Sequence, residues 1–204
     1  MSKITILDYG LGNIRSLKNS LQLITKNVTF FSEDPKKNFD ILFIPGVGSF
    51  SKASEILRKK KLDKLIVESS KEEVLIIGIC LGMHILFKTG YEDGKSDGLN
   101  LIDGYVDLIP LKNKKLPNIG WRAIEISENQ KFSSLKKFNK EKFYFVHSFM
   151  ANVEKKEQII SHADYENIKI PSIVFNNNII GIQFHPEKSR ENGIELLKEI
   201  IKLY

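Results

Sequence analysis

The apolar positions of the chain alternate between two periods. Ile4-Thr5-Ile6-Leu7 is a short β-branched run that stops at Asp8-Tyr9-Gly10-Leu11-Gly12-Asn13, and Ile14, Leu17, Leu21 and Ile24 then recur at helical spacing. This order predicts strand, glycine turn and helix, with Asn13 as the N-cap. Strands are expected over 28–31 and 41–44, the second running into Pro45-Gly46-Val47-Gly48-Ser49-Phe50. Helical spacing follows over 51–59 and 62–70. The unbroken apolar run 74–79 reads as a strand buried on both faces, and 83–88 as a further helix.

From Gly90 the pattern changes. Gly94, Gly98, Asp103 and Gly104 mark turns, and 105–111, 123–126, 143–149, 158–163, 172–175 and 179–184 read as strands without long helices between them. The one tryptophan, Trp121, falls in a turn-like stretch, Leu116-Pro117-Asn118-Ile119-Gly120-Trp121-Arg122; a lone Trp reads as core first and as an interface or site wall second. A last helix carries Ile194, Leu197 and Ile201, with Ser189 as its candidate N-cap. The expected fold class is α/β: one domain over 1–204 with a mixed, mostly parallel central sheet flanked by helices and a β-rich second half on the same sheet.

Composition acts mainly by exclusion. The 204 residues are 42% hydrophobic, enough for a sizeable core, and carry a net charge of +6. The basic residues fall in short groups at 58–61, 112–115 and 136–137, mixed with acids and without a stripe interleaved with aromatics. That describes a solvated surface rather than a nucleic-acid footprint. One cysteine rules out an internal disulfide framework, and no Cys/His spacing resembles a zinc site. The N-terminus enters a strand directly with no signal peptide, and no apolar run approaches the roughly 18 residues of a membrane span; a soluble, cytoplasmic protein with no membrane partner is expected. Gly10 and Gly12 hint at a dinucleotide loop, but Arg15 stands where a third glycine is needed and no acidic residue ends a second strand.

The chemistry-bearing stretch is Gly78-Ile79-Cys80-Leu81-Gly82-Met83. A cysteine between two glycines, after a buried strand and before a helix, has the layout of a nucleophile elbow. Backbone N–H groups beyond the turn would then favour a thiolate and an oxyanion beside it. A buried structural thiol is the other reading of a lone Cys. His185-Pro186-Glu187 supplies a base and an acid at i and i+2 at the end of a strand; in an extended segment both side chains point the same way, so the carboxylate can orient the imidazole. A surface ion pair is the alternative. His84 and His162 compete for the role of base, but His84 lies too near the elbow and His162 has no acid two residues away.

The elbow, the Pro45–Phe50 loop and Gly181-Ile182-Gln183-Phe184-His185-Pro186-Glu187-Lys188-Ser189 resemble the three signatures of class I (triad) glutamine amidotransferases, which are flavodoxin-like. Asp8–Asn13 and Phe143-Tyr144-Phe145-Val146-His147-Ser148 narrow the resemblance to the glutaminase subunit of imidazole glycerol phosphate synthase, the HisH family. The resemblance implies that Cys80, His185 and Glu187 form the triad and that Val47, Gly48 and Leu81 build the oxyanion site. L-Glutamine would be bound by Gly46, Gly48, His84, His147, Ser148 and Phe149. Neither metal nor organic cofactor is implied. It also implies a heterodimer with a HisF-like (β/α)8 barrel synthase that consumes the ammonia, yielding imidazole glycerol phosphate and AICAR in histidine biosynthesis. Asn13, Trp121, Arg122, Tyr144 and Lys188 match positions at or near that interface.

Two departures stand out. His84 occupies a position where the family usually has Gln, and Pro117-Asn118-Ile119-Gly120-Trp121-Arg122 replaces the usual Pro-His-Met-Gly-Trp-Asn. Paralogues that feed ammonia to a sugar amidotransferase in surface-glycan biosynthesis share the same glutaminase chemistry, so the acceptor stays open. A Cys hydrolase on the same elbow fold and a non-catalytic binding or regulatory subunit are the readings from other classes.

Overall fold

A computed structural model describes residues 2–33, 39–111 and 116–204; the expected basic group at 112–115 lies outside them. In the first half, β1 (Ile4–Ile6), α1 (Ile14–Gln22), β2 (Val28–Phe30), β3 (Ile41–Gly46), α2 (Phe50–Lys59), α3 (Leu62–Lys71) and β4 (Leu75–Cys80) follow one another. Asn13 caps α1 as expected, its side-chain oxygen accepting from the Ser16 N–H at 3.3 Å. The second half contributes α4 (Leu81–Ile85), β5 (Phe87–Gly90), β6 (Ser96–Asp97), β7 (Ile102–Leu108), β8 (Asn118–Ile126), β9 (Lys142–His147), β10 (Phe149–Val153), β11 (Ile159–Tyr165), β12 (Ile168–Asn176), β13 (Ile179–Ile182) and α5 (Arg190–Lys202).

The strands β2-β1-β3-β4-β13-β12-β11-β8-β9 form one sheet in that order. Parallel pairing runs from β2 to β13, and from β12 outward each neighbour is antiparallel. The parallel half matches the expected parallel sheet flanked by helices. The second half does not all join this sheet as expected: β5, β6, β7 and β10 form a smaller one, in the order β10-β7-β5-β6, because β7 pairs with β5 and β10 instead.

Strand periodicity divides the core. Ile41, Phe43, Leu75, Ile77 and Ile79 face one side with Leu17 and Leu21 of α1 and Leu196, Leu197 and Ile200 of α5. Leu42, Ile44 and Ile76 face the other, with Phe50, Ala53 and Leu57 of α2 and Leu62 and Ile66 of α3. Successive side chains point to opposite faces, so β3 and β4 are buried along their whole length. Each such Leu, Ile or Phe contributes about 1.5–3 kcal/mol when fully buried.

Several expectations are corrected. The helix expected over 83–88 ends at Ile85, because Phe87–Gly90 is drawn into pairing with β7 and β6. The turn-like stretch around Trp121 is mostly strand: β8 begins at Asn118 and pairs residue for residue with β9 from Asn118↔His147 to Ala123↔Lys142. Residues expected as a strand over 105–111 form β7 at 102–108. Ser189 does not cap α5 with its side chain. Its hydroxyl donates to the His185 carbonyl at 2.6 Å and accepts from the Tyr144 N–H at 3.0 Å, which ties the turn after β13 to β9.

Candidate active site

The site lies at the carboxyl ends of β3, β4 and β13, which the register brings level: Gly46 pairs with Cys80, and Ile79 with Ile182. Cys80 ends β4 with φ 55° and ψ −109°, a left-side backbone conformation that costs a non-glycine residue about 1–3 kcal/mol. Glycines make the turn possible. A Cβ on Gly82 would fall on the carbonyl of Ile44, and one on Gly46 would meet the Tyr9 hydroxyl and the Leu81 side chain. Any side chain there would push β3 and α4 apart and lift the elbow out of place. Tyr9, buried beneath this junction, is kept neutral by burial and by the neighbouring Cys80, both of which raise its pKa.

His185 and Glu187 come together at 2.8 Å, Nδ1 to Oε1, with side chains only 3% and 5% exposed. The contact expected from sequence is present, though the geometry differs: Pro186–Lys188 is a single 3₁₀ turn, not an extended segment. His185 Nε2 makes no hydrogen bond of full geometry among the described residues and lies within interaction range of Cys80. Burial opposes charge on this imidazole, but its interactions with Cys80 and Glu187 outweigh burial and push its pKa up to about 10. An imidazolium facing a thiol on one side and a carboxylate on the other is equipped to hold a thiolate and to deliver a proton.

The other histidines have different environments. Burial pulls His84 down to about 4; its Nε2–H donates to Gln183 Oε1 at 2.8 Å. Burial likewise pulls His147 down to about 3, with Nδ1–H donating to the Phe149 carbonyl at 2.7 Å. Both are neutral at physiological pH. His162, on β11, is lowered by burial and by Lys169, and it does not line the site.

A cavity of about 240 Å³ opens over Cys80, lined by Val47, Gly48, Leu81, His84, Glu92 and the run Val146–Phe149. Most of the residues expected from sequence at the oxyanion site and substrate pocket therefore share one space; Gly46 lies just beneath it, against Leu81. Glu92 went unpredicted. Its Oε2 accepts from the Phe50 N–H at 2.9 Å, and burial, ahead of Asp93, raises its pKa against that hydrogen bond. No motif surrounds it, and only the return of the 90–94 turn onto the start of α2 brings it to the pocket. The carbonyls of Ser148 and Phe149 are already occupied, by the Ile109 N–H and by His147. Both carbonyls of that wall are thus engaged, and Glu92 brings acceptor oxygens to the same cavity. The lining of a larger hollow of about 360 Å³ between α2 and α3 includes none of Cys80, His185 and Glu187.

Of the residues expected at an interface, Trp121 and Tyr144 form an edge-to-face pair at 6.0 Å, with Lys188 over Tyr144 and Arg190 over Trp121. Trp121 is 38% exposed and Ile119 53% exposed on the same face, so the tryptophan belongs to the surface and not to the core. Arg122 points to the opposite face. It donates to Asn118 and lies over the Tyr165 ring. Asn13 serves as the cap of α1. Among the described residues no cluster of His, Cys, Asp or Glu could hold a metal, and no helix is long and apolar enough to cross a membrane.

The family profile for glutamine amidotransferase class-I matches residues 5–203. The imidazole glycerol phosphate synthase subunit HisH of Lactococcus lactis subsp. lactis (strain IL1403) is 40% identical over 204 residues, covering 99% of each chain. That of Caldanaerobacter subterraneus subsp. tengcongensis is 37% identical over 203 residues, covering 98% of each. A solved glutamine amidotransferase superimposes with a TM-score of 0.76 at 14% identity, covering 98% of this chain and 97% of the other, a likeness of fold alone. The chain belongs to the class-I glutamine amidotransferases and, within them, to the HisH family of enzyme subunits.

Proposed function

We propose that this chain hydrolyses L-glutamine with a Cys80–His185–Glu187 triad and hands the ammonia to a HisF-like (β/α)8 barrel synthase making imidazole glycerol phosphate and AICAR in histidine biosynthesis. The observation that carries the reading is a strained elbow cysteine within range of a buried imidazole whose other nitrogen is held by a carboxylate at 2.8 Å.

The zwitterionic end of the substrate fits the two sides of the pocket. Its ammonium faces Glu92, and its carboxylate faces the Ser148–Phe149 corner. The carboxamide then lies over Cys80. The sulfur attacks the carboxamide carbon, forming the S–C bond. The oxyanion is met by the Leu81 N–H at the start of α4 and by a backbone N–H of the Val47–Gly48 segment. As the tetrahedral intermediate collapses, the C–N bond breaks and His185 gives its proton to the leaving nitrogen, releasing ammonia. A water attacks the thioester, His185 takes its proton, and glutamate leaves with the thiolate restored. Removing one oxyanion donor is expected to cost roughly a hundredfold to a thousandfold in kcat.

Ammonia is small, quickly protonated and easily lost, which favours a consuming partner docked over the site. The face of exposed Ile119 and Trp121 with half-buried Tyr144, rimmed by Lys188 and Arg190, suits that contact. The test measures glutamate release from glutamine by the full chain, alone and with the barrel synthase. Release that rises with the barrel and disappears in Cys80→Ala supports the reading. Unchanged turnover in Cys80→Ala would sink the triad. Co-purification with a sugar amidotransferase in place of the barrel would overturn the acceptor.

A further inference from the structure

The pocket corner that meets the substrate carboxylate is held by a relay of side chains beginning on a different strand. Arg122 Nε–H donates to Asn118 Oδ1 at 3.1 Å; Asn118 Nδ2 donates to His147 Nε2 at 3.0 Å; His147 Nδ1–H donates to the Phe149 carbonyl at 2.7 Å. Asn118 is fully buried and His147 nearly so. The β8–β9 register sets Asn118 opposite His147, and both lie on the face of the ribbon away from Trp121.

The orientations are mutually determined. Arg122 can only donate, so the Asn118 oxygen faces it and the amide nitrogen must face His147. His147 Nε2 is therefore an acceptor, and its proton sits on Nδ1, where the Phe149 carbonyl requires one. A flipped Asn118 would set donor against donor at Arg122.

We propose that Arg122 and Asn118 are positioning residues for glutamine, acting through His147 to keep the Phe149 carbonyl occupied so that it is not a free acceptor at the Ser148–Phe149 corner where the substrate carboxylate binds. The inference rests on the reading of this pocket as the glutamine site. When the relay is cut, His147 is free to change tautomer and turn, and the Phe149 carbonyl is released as an acceptor beside an anion. Substrate binding then weakens while the elbow, built on other strands, is unaffected.

The sequence has a single cysteine, so alkylation of the full chain by iodoacetamide reports Cys80 alone, and the glutamine concentration that halves the rate reports binding. In Arg122→Met this concentration should rise about tenfold, and in Asn118→Leu about tenfold to a hundredfold. Arg122→Lys, which retains a donor for Asn118, should recover most of the loss. The alkylation rate without glutamine should remain within about twofold of wild type, a split that general loosening of the fold would not give. Nitrogen NMR of His147 should show the Nδ1–H tautomer in wild type and a mixture in Asn118→Leu. If Asn118→Leu does not fold, the change at the half-buried Arg122, Arg122→Met, and its Lys counterpart decide the question. Unchanged half-protection in the folded variants, or a matching fall in the rate without glutamine, overturns the proposal. Failure of glutamine to protect wild-type Cys80 overturns the glutamine-site reading and this inference with it, and is distinguishable because it appears before any substitution is made.

Discussion

Glu187→Gln removes one charge while leaving an oxygen that can still accept from His185. The wild-type contact is 2.8 Å between nearly buried side chains, which places the charge centres roughly 4 Å apart. At an effective dielectric near 20 that pairing is worth about 4 kcal/mol, equivalent to a factor of about a thousand in the protonation equilibrium of His185. That figure is an upper limit on what Glu187 supplies, because Cys80 is the larger raising influence on His185 and stays in place; the imidazole pKa should fall from about 10 in the variant. The assay is histidine NMR across pH. The chain has four histidines, and His84, His147 and His162 are all held below the ordinary value, so the imidazolium signal that persists to the highest pH belongs to His185, and its titration midpoint should move down in the variant. Glutamate release should drop by roughly 10²–10⁴. The sign of the stability change follows. A histidine whose pKa is raised in the folded state contributes its full stabilisation below about 6.5, and that contribution disappears as the pH rises through about 10. Wild type should lose stability relative to Glu187→Gln across this window in denaturant titrations. A variant in which His185 still titrates near 10, or in which turnover is undiminished, would refute the reasoning.

Other substitutions probe separate parts of the site. Gly82→Ala sets a methyl group against the Ile44 backbone, which cannot swing aside as a side chain would; a loss of at least about 1–3 kcal/mol is expected, and a wild-type melting curve would contradict the close approach. Glu92→Gln retains an acceptor for the Phe50 N–H but loses the charge proposed to face the substrate ammonium, so KM for glutamine should rise about tenfold or more with kcat changed much less. An unaltered KM would remove Glu92 from the binding site. Trp121→Ala should weaken association with the proposed barrel partner by about 2 kcal/mol or more while leaving Cys80 alkylation in the isolated chain unchanged, as calorimetry and labelling would show.

The parts of the fold that were legible in the sequence depend on local spacing. The parallel strands β1, β3 and β4 are short apolar runs punctuated by glycine, and the elbow follows from Gly78 and Gly82 bracketing Cys80. Other parts depend on partners distant in the chain. Leu86 and Phe87 continue a helical pattern, yet Phe87 leaves the helix because β7 offers it a ladder. Pro117 and Gly120 signal a turn, yet β9 holds the stretch extended, with Gly120 at φ 128° inside the strand. The same register creates the Asn118–His147 contact, which nothing in the spacing of either motif announces. Glu92 is hidden for the same reason: its nearest polar partner, Phe50, lies 42 residues away. The pairing of His185 with Glu187 was legible even though the turn that brings them together was not.

The central claim is that Cys80 is the nucleophile of a glutamine-specific site. Incubating the full chain with a diazoketone analogue of glutamine and locating the adduct by peptide mass spectrometry tests it most directly. One covalent adduct per chain, on Cys80, suppressed by glutamine and absent in His185→Ala, is the expected result. No adduct on Cys80, or labelling that glutamine does not suppress, would contradict it.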